Sequence, residues 1–365
     1  MILRICSLYS DTKMISLKPN LQPIQHGGNI EDAIKHYGIP REQWIDLSTG
    51  ISPWSYPFKP LPEKVWQELP PPQHNLLANA ATYYGVMQNH IVATPGSQIA
   101  IRLLPQLFKP STVAVPALGY KEHALSWQMA HHQTAVYSNA SELLDLVKNK
   151  QVEHAVVINP NNPSCEKFSL QILQEIAENL GGVCVIDEAF IDCFDPNSTQ
   201  ISSATNILNL DSSSNVIILR SIGKFFGLAG IRLGFSLGKH PCLHSLDELL
   251  QPWSISHASQ DIGIQALQDT QWQQQQRINI KQQQRAFQST LTTLLDECLQ
   301  EYSTSKSSLF NTVFATKSEL KELHHQLAKQ GIWTRLGNKN DPINWLRFGL
   351  PKDIDEIEKR TLHLQ

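Results

Sequence analysis

Four short apolar runs most constrain what this chain can fold into. They are TVAVP (112–116), HAVVINP (154–160), GVCVIDEAF (182–190) and NVIILRSI (215–222). Three are nearly all apolar, which is the pattern of strands buried on both faces. Helical patterns alternate with them from ANAATYYG onward. Alternating strand and helix predicts an α/β fold with a mostly parallel sheet flanked by helices. At 365 residues the chain exceeds one small core, so a large domain with a smaller one attached is expected.

Composition places the boundaries. Residues 1–60 are rich in Pro, Gly and Asn (HGGNI, DLSTGISPWSYPFKPLP) and read as an extended N-terminal arm lying on something larger. LPPPQH (69–74) is a further irregular break. Residues 61–270 are expected to form the large domain. Residues 271–365 form the smaller α/β one, with LFNTVFAT and INWLRFGLP as its strands. The Gln-rich QWQQQQRINIKQQQR (271–285) looks like low complexity, but its interleaved Ile and Arg suit a long, exposed amphipathic helix.

Several classes of function are disfavoured. Net charge is -3, from 30 Lys+Arg against 33 Asp+Glu, with no basic cluster or zinc-finger spacing, so no nucleic-acid partner is expected. No apolar run approaches the ~20 residues that span a bilayer, so no membrane partner is expected. The six cysteines include no C-x-x-C pair and fit reduced thiols in a cytoplasmic protein. The His131–His132 pair has no metal-ligand partners, so no metal is expected. The start, MILRICSLYSDTKMISLK, lacks a signal-peptide core and reads as a loose arm, with Met14 as an alternative first residue.

In open α/β sheets ligands bind where strands end, so the polar residues after each apolar run matter most. These are NPNNP, the Asp187–Glu188 pair, and Ser221 to Lys224. In SIGKFFGLAGIRLGF (221–235), Lys224 and Arg232 stand among apolar residues and glycines. A neutral lysine amine can form a Schiff base with an aldehyde, and a nearby Arg232 favours the deprotonated amine. The same lysine also reads as one snorkelling from a surface loop. Asp187, at the end of its run, suits a protonated pyridine nitrogen, or equally an ordinary buried carboxylate held by backbone N–H groups. ATPGSQ (93–98) is a glycine turn before a helix, either an anion site or a cap. Ser221 and Arg232 would complete a phosphate cradle. Tyr120 could stack on a flat ring or simply pack in the core.

In the order PGSQ, Tyr120, NPNNP, DEAF, SIGK and Arg232, these elements resemble the fold-type I pyridoxal-phosphate enzymes, the aspartate aminotransferase superfamily. The resemblance covers about residues 25–351. It implies pyridoxal 5'-phosphate as cofactor, with Lys224 as the Schiff-base lysine and Asp187 on the pyridinium nitrogen. Asn162 would bond the ring's phenolic oxygen and Tyr120 would stack on the ring. Gly96, Ser97, Gln98, Ser221 and Arg232 would hold the phosphate. Arg347, in WLRFGLP, would grip the substrate carboxylate, unless it is a surface charge on a strand. A homodimer with each site at the subunit interface is also implied.

More narrowly, HGGNI, WIDLSTGISPWSYP, GYKEHALSW, GKFFGLAGIRLGF and WLRFGLP resemble the threonine-phosphate decarboxylase group of cobalamin biosynthesis, relatives of histidinol-phosphate aminotransferase. The implied reaction is loss of CO2 from O-phospho-threonine. The alternative is amino transfer on histidinol phosphate or a related amino acid. Phe190 and Leu69 replace tyrosines found in many of the aminotransferases. For the substrate phosphate the candidates are His26, Gly27, Gly28 and Asn29, on an arm closing over the site, unless HGG is only a flexible turn.

Overall fold

The structure is a computed structural model that describes residues 24, 26–196, 201–208, 214–362 and 364. Cys6, Met14 and the expected loose start lie outside the described residues. In chain order the strands are β1 (Ile45–Asp46), β2 (Ile91–Thr94), β3 (Thr112–Pro116), β4 (Gln133–Tyr137), β5 (His154–Ile158), β6 (Cys184–Asp187) and β7 (Val216–Ser221). There follow β8 (Gly234–Gly238), β9 (Ser303–Lys306), β10 (Phe310–Phe314), β11 (Ile332–Trp333), β12 (Arg335–Leu336) and β13 (Leu346–Gly349).

Seven strands form the central sheet in the order β2-β8-β7-β6-β5-β3-β4. It is parallel from β7 to β4, and β8 runs antiparallel to both neighbours. All four apolar runs of the sequence are strands here. Every residue of β5, β6 and β7 is buried, as strands covered by helices on both faces must be. Each buried Val, Ile or Leu there contributes about 1.5–3 kcal/mol from leaving water. Strands β2, β4 and β8 are additional to those runs.

A second sheet, in the order β12-β13-β10-β9, is antiparallel and near the C-terminus. Between the two sheets runs one helix, Thr270–Cys298, which includes the whole Gln-rich stretch. Its inward glutamines act as hydrogen-bond ties. Gln276 donates to Ser52 Oγ and to the carbonyls of Trp54 and Phe225. Two turns on, Gln284 donates to Ser307 O and Asn311 Oδ1 beside the second sheet.

The arm is less extended than its composition suggests. Residues Ile30–Tyr37 form a helix, with Glu31 and Asp32 in the first turn and Lys35 and His36 in the last. This charge order suits the helix dipole, and Gly38 closes the end in the left-handed region. Ile30, Ala33, Ile34 and Tyr37 recur at helical spacing and pack with Trp44, Ala328 and Trp333. Counting Pro and Gly over 60 residues hides that short periodicity. Beyond it, β1 pairs with β11, and Ser52 N and Tyr56 N donate to Lys224 O and Phe226 O. Of the cysteines, 165, 184, 193 and 242 are free and buried, and Cys298 is free and partly exposed.

Candidate active site

The site forms where β6 and β7 end. Ser221, extended at the end of β7, accepts from Gly223 N through its hydroxyl (3.3 Å) and turns the chain into the short helix Ile222–Phe225. That turn delivers Lys224 to the strand-end cleft. A side chain at Gly223 would come within 3.0 Å of Ala229 Cα, so the turn needs a small residue. Lys224 is half-buried, with its Nζ 5.8 Å from the centre of the Phe190 ring. Burial first, then the charges of Arg347 and Arg232, push its pKa down to about 8, against an upward pull from Asp187.

Arg347 is buried on β13. Its Nη1 donates to Asn162 Oδ1 (2.6 Å) and its Nη2 to Ser48 O, while its Nε has no partner among the described residues. The guanidinium lies 5.3 Å from the centre of the Phe310 ring. Burial and the charge of Arg335 lower its pKa to about 10. Asn162 thus meets Arg347 directly.

Asp187 accepts from Ala189 N (3.1 Å) and stands 2.9 Å from His123 Nε2. Both side chains are buried. Neighbouring Glu188 faces the other way, accepting from Ser203 Oγ, Ala204 N and Arg220.

The PGSQ turn meets Arg232 at close quarters. Gly96 has φ +73°, and a Cβ there would lie 2.5 Å from Arg232 Nη2. A Cβ at Gly234 would lie 2.6 Å from Ser97 N. Arg232 itself is left-handed (φ 52°), and its Nη1 donates to Ala229 O (3.1 Å). Gly96, Ser97 and Arg232 therefore gather into one basic, glycine-lined corner. Gln98 turns its side chain elsewhere: it accepts from Tyr120 Oη (2.8 Å) and donates to Glu122 (3.1 Å). Burial, with Glu122 and Asp187 nearby, raises the Tyr120 pKa.

Glu122 is a hub, bonded also to Arg102 and, at 2.9 Å, to His26 Nε2. This places the arm over the cleft. Gly27 is built in, since a Cβ there would lie 2.1 Å from Ser48 O, the carbonyl that receives Arg347. Gly28, at φ +83°, donates its N–H to Ser48 Oγ (2.7 Å). HGG is therefore a packed turn. Asn29 instead donates its side chain to Asp32 (2.6 Å).

This set fits a phosphate-bearing aldehyde. It holds an amine with a lowered pKa, a carboxylate fixed on the strand end, and a glycine corner over which a guanidinium has closed.

The aminotransferase class I and II family matches residues 64–359. The chain belongs to that family. It is 35% identical over 336 residues to the threonine-phosphate decarboxylase of Pseudomonas aeruginosa, covering 90% of this chain and 94% of that protein. It is also 31% identical to a histidinol-phosphate aminotransferase of Buchnera aphidicola, over 66% of this chain and 68% of that protein. Among solved structures, the histidinol-phosphate aminotransferase of Sinorhizobium meliloti in complex with pyridoxal-5'-phosphate superposes with a TM-score of 0.73 at 19% identity, covering 98% of this chain and 100% of that one. The L-threonine-O-3-phosphate decarboxylase of Porphyromonas gingivalis gives 0.68 at 17%, covering 93% and 97%. At those identities the structures speak for the fold, which is that of the class I and II aminotransferases.

Within this family member, sequence reasoning missed three groups beside the site. His123 and Glu122 sit in GYKEHALSW, where nothing in the linear pattern shows that one faces Asp187 and the other the arm. Arg335 lies directly opposite Arg347 across the β12–β13 pair. A signal for it existed: RLGNKN before INWLRFG is a turn-rich link between strand-like segments, which predicts a hairpin and faces the two arginines alike.

Proposed function

We propose that this enzyme uses pyridoxal 5'-phosphate to convert O-phospho-L-threonine to (R)-1-amino-2-propanol phosphate and CO2, a step of cobalamin biosynthesis. The carrying observation is Arg347 beside Lys224. A buried guanidinium whose Nε has no partner among the described residues, close enough to lower the lysine's pKa, is suited to hold a substrate carboxylate at the reacting centre. Similarity to the threonine-phosphate decarboxylase of Pseudomonas aeruginosa along nearly the whole chain supports the choice of reaction.

The bound cofactor would supply an aldehyde that captures amines and a ring that accepts electrons released at Cα. The chain's own groups divide the remaining work. Lys224 Nζ is neutral at mildly alkaline pH, so it can bind the aldehyde and afterwards carry a proton to Cα. Asp187, oriented by His123, supplies the negative charge for the ring nitrogen. Gly96, Ser97, Gln98, Ser221 and Arg232 form the phosphate corner, Gln98 through its backbone. Asn162 and Tyr120 position the ring. Arg347 holds the carboxylate so that the Cα–carboxylate bond is the one aligned to break. Of the four arm residues expected at the substrate phosphate, His26, with Arg335, would receive it, while Gly27 and Gly28 hold the turn against Ser48 and Asn29 is engaged by Asp32.

We further propose a cytoplasmic homodimer, with an arm at 1–60, a large domain at 61–270 and a small domain at 271–365. Phe58, Trp66 and Leu69 are exposed within one short segment and support a contact between copies.

The test is turnover of O-phospho-threonine by cofactor-loaded protein without any 2-oxo acid. Stoichiometric CO2 and aminopropanol phosphate are expected. Amino transfer only after 2-oxoglutarate is added would overturn the reading in favour of an aminotransferase.

A further inference from the structure

The hairpin that carries Arg335 and Arg347 has a second face. Side chains alternate across a strand, so Leu336 and Leu346 lie opposite the two arginines. Behind the hairpin is a cavity of about 350 Å³, closed on its far side by the helix Lys317–Lys329. Leu320, Leu336 and Trp345 give it an apolar wall, and Lys317, Lys321 and Lys339 line its mouth. Among the described residues no carboxylate lines it. Among the described residues, none of the three ammonium groups has an ion-pair partner. In a chain with net charge -3, three unmatched lysines around one cavity leave a local positive field. Its volume lies within the ~300–1,000 Å³ range of small-molecule sites.

We propose that this cavity is a second anion site, taking an organic polyphosphate. Lysines act as point charges suited to a phosphate chain, whereas planar carboxylates favour the arginine fork. A ring or chain of the same ligand would pack on Leu336 and Trp345. Occupancy would be felt in the cleft. Trp345 Nε1 and Asn338 N both donate to Asp341 Oδ2 (2.8 and 2.7 Å), and Asp341 pairs with Lys121, the neighbour of Tyr120. The wall of the cavity and this link across the cleft are one loop.

The experiment titrates ADP into cofactor-loaded protein by calorimetry, comparing wild type with Lys317→Ala/Lys321→Ala/Lys339→Ala. All three are exposed, so the variant should keep its fold, its cofactor absorbance and its KM for O-phospho-threonine without ADP. Saturable ADP binding that weakens at least tenfold in the variant is expected, with citrate weaker than ADP in wild type. Equal ADP affinity in both proteins, or no binding at millimolar ADP, overturns the site. Citrate binding as tightly as ADP overturns the polyphosphate assignment. These binding results stand whatever reaction the enzyme proves to catalyse.

Discussion

β6 and β7 end in adjacent polar pairs, Asp187–Glu188 and Arg220–Ser221, whose members serve opposite sides of the sheet. On one side Arg220 bonds Glu188 and Asp192, all three buried. One cation faces two carboxylates, and their attraction raises the arginine's pKa. On the other side the cations outnumber the carboxylates: Lys224 feels Arg347, Arg232 and Asp187, while Asp46 acts on Arg347 and Asp341 on Arg335, and burial with the two arginine charges brings the lysine's pKa down to about 8. The first cluster closes on itself and holds the fold. The second is short of negative charge, and that deficit is what an anionic cofactor and substrate would fill.

The largest effect should come from Lys224→Ala. Turnover should fall on the order of 10³-fold or more, with no loss of thermal stability in the cofactor-free protein. Retained turnover would remove the lysine from the chemistry. Arg220→Met should do the reverse. It strands Glu188 and Asp192 and should destabilise by about 3–5 kcal/mol, read as a lower urea midpoint. Its mirror, Arg347→Met, should leave the midpoint unchanged or higher while kcat/KM falls about 10²-fold. If both arginine variants shift stability alike, the contrast between the clusters is wrong.

Gly96→Ala tests the phosphate corner. The added Cβ meets Arg232, and the backbone there is strained for any side chain, at about 1–3 kcal/mol. Cofactor affinity should weaken roughly tenfold to hundredfold in an absorbance titration.

The smallest effect is in pH. With Lys224 at about 8, capture of pyridoxal phosphate by cofactor-free protein should rise with pH and level off just above 8. Arg347→Met should move that midpoint upward, because Arg347's charge is a cause of the depression. A folded pKa below the unfolded 10.5 means that the charged form is disfavoured on folding. Replacing Lys224 by Met should therefore stabilise the cofactor-free protein most below pH 8, with the gain fading between 8 and 10.5. A constant difference in Tm across that range would contradict the depressed value.

The strands that carry this chemistry were legible because two-faced burial leaves a plain mark, as in VIILRS. Lys224, Asp187 and Arg232 stood out because a charge in or beside such a run needs a reason, whereas Arg347 was marked only by the resemblance. The helix Ile30–Tyr37 was misread because glycines and prolines on either side dilute a two-turn signal. His123 and Glu122 were invisible for a different reason. Their helix packs its charged and aromatic residues inward, and only tertiary contact decides which one meets Asp187 and which meets His26. Arg335 falls between, readable once the hairpin is recognised.

Gln276 and Gln284 give the helix Thr270–Cys298 the character of a measuring rod. One tie grips the loop of Lys224 and the other the sheet of Arg347, eight residues apart, which at 1.5 Å per residue is about 12 Å. The reach between amine and guanidinium is thereby calibrated by residue count. A single inserted residue between the two glutamines would swing one tie about 100° around the axis and detune the cleft without touching any group inside it.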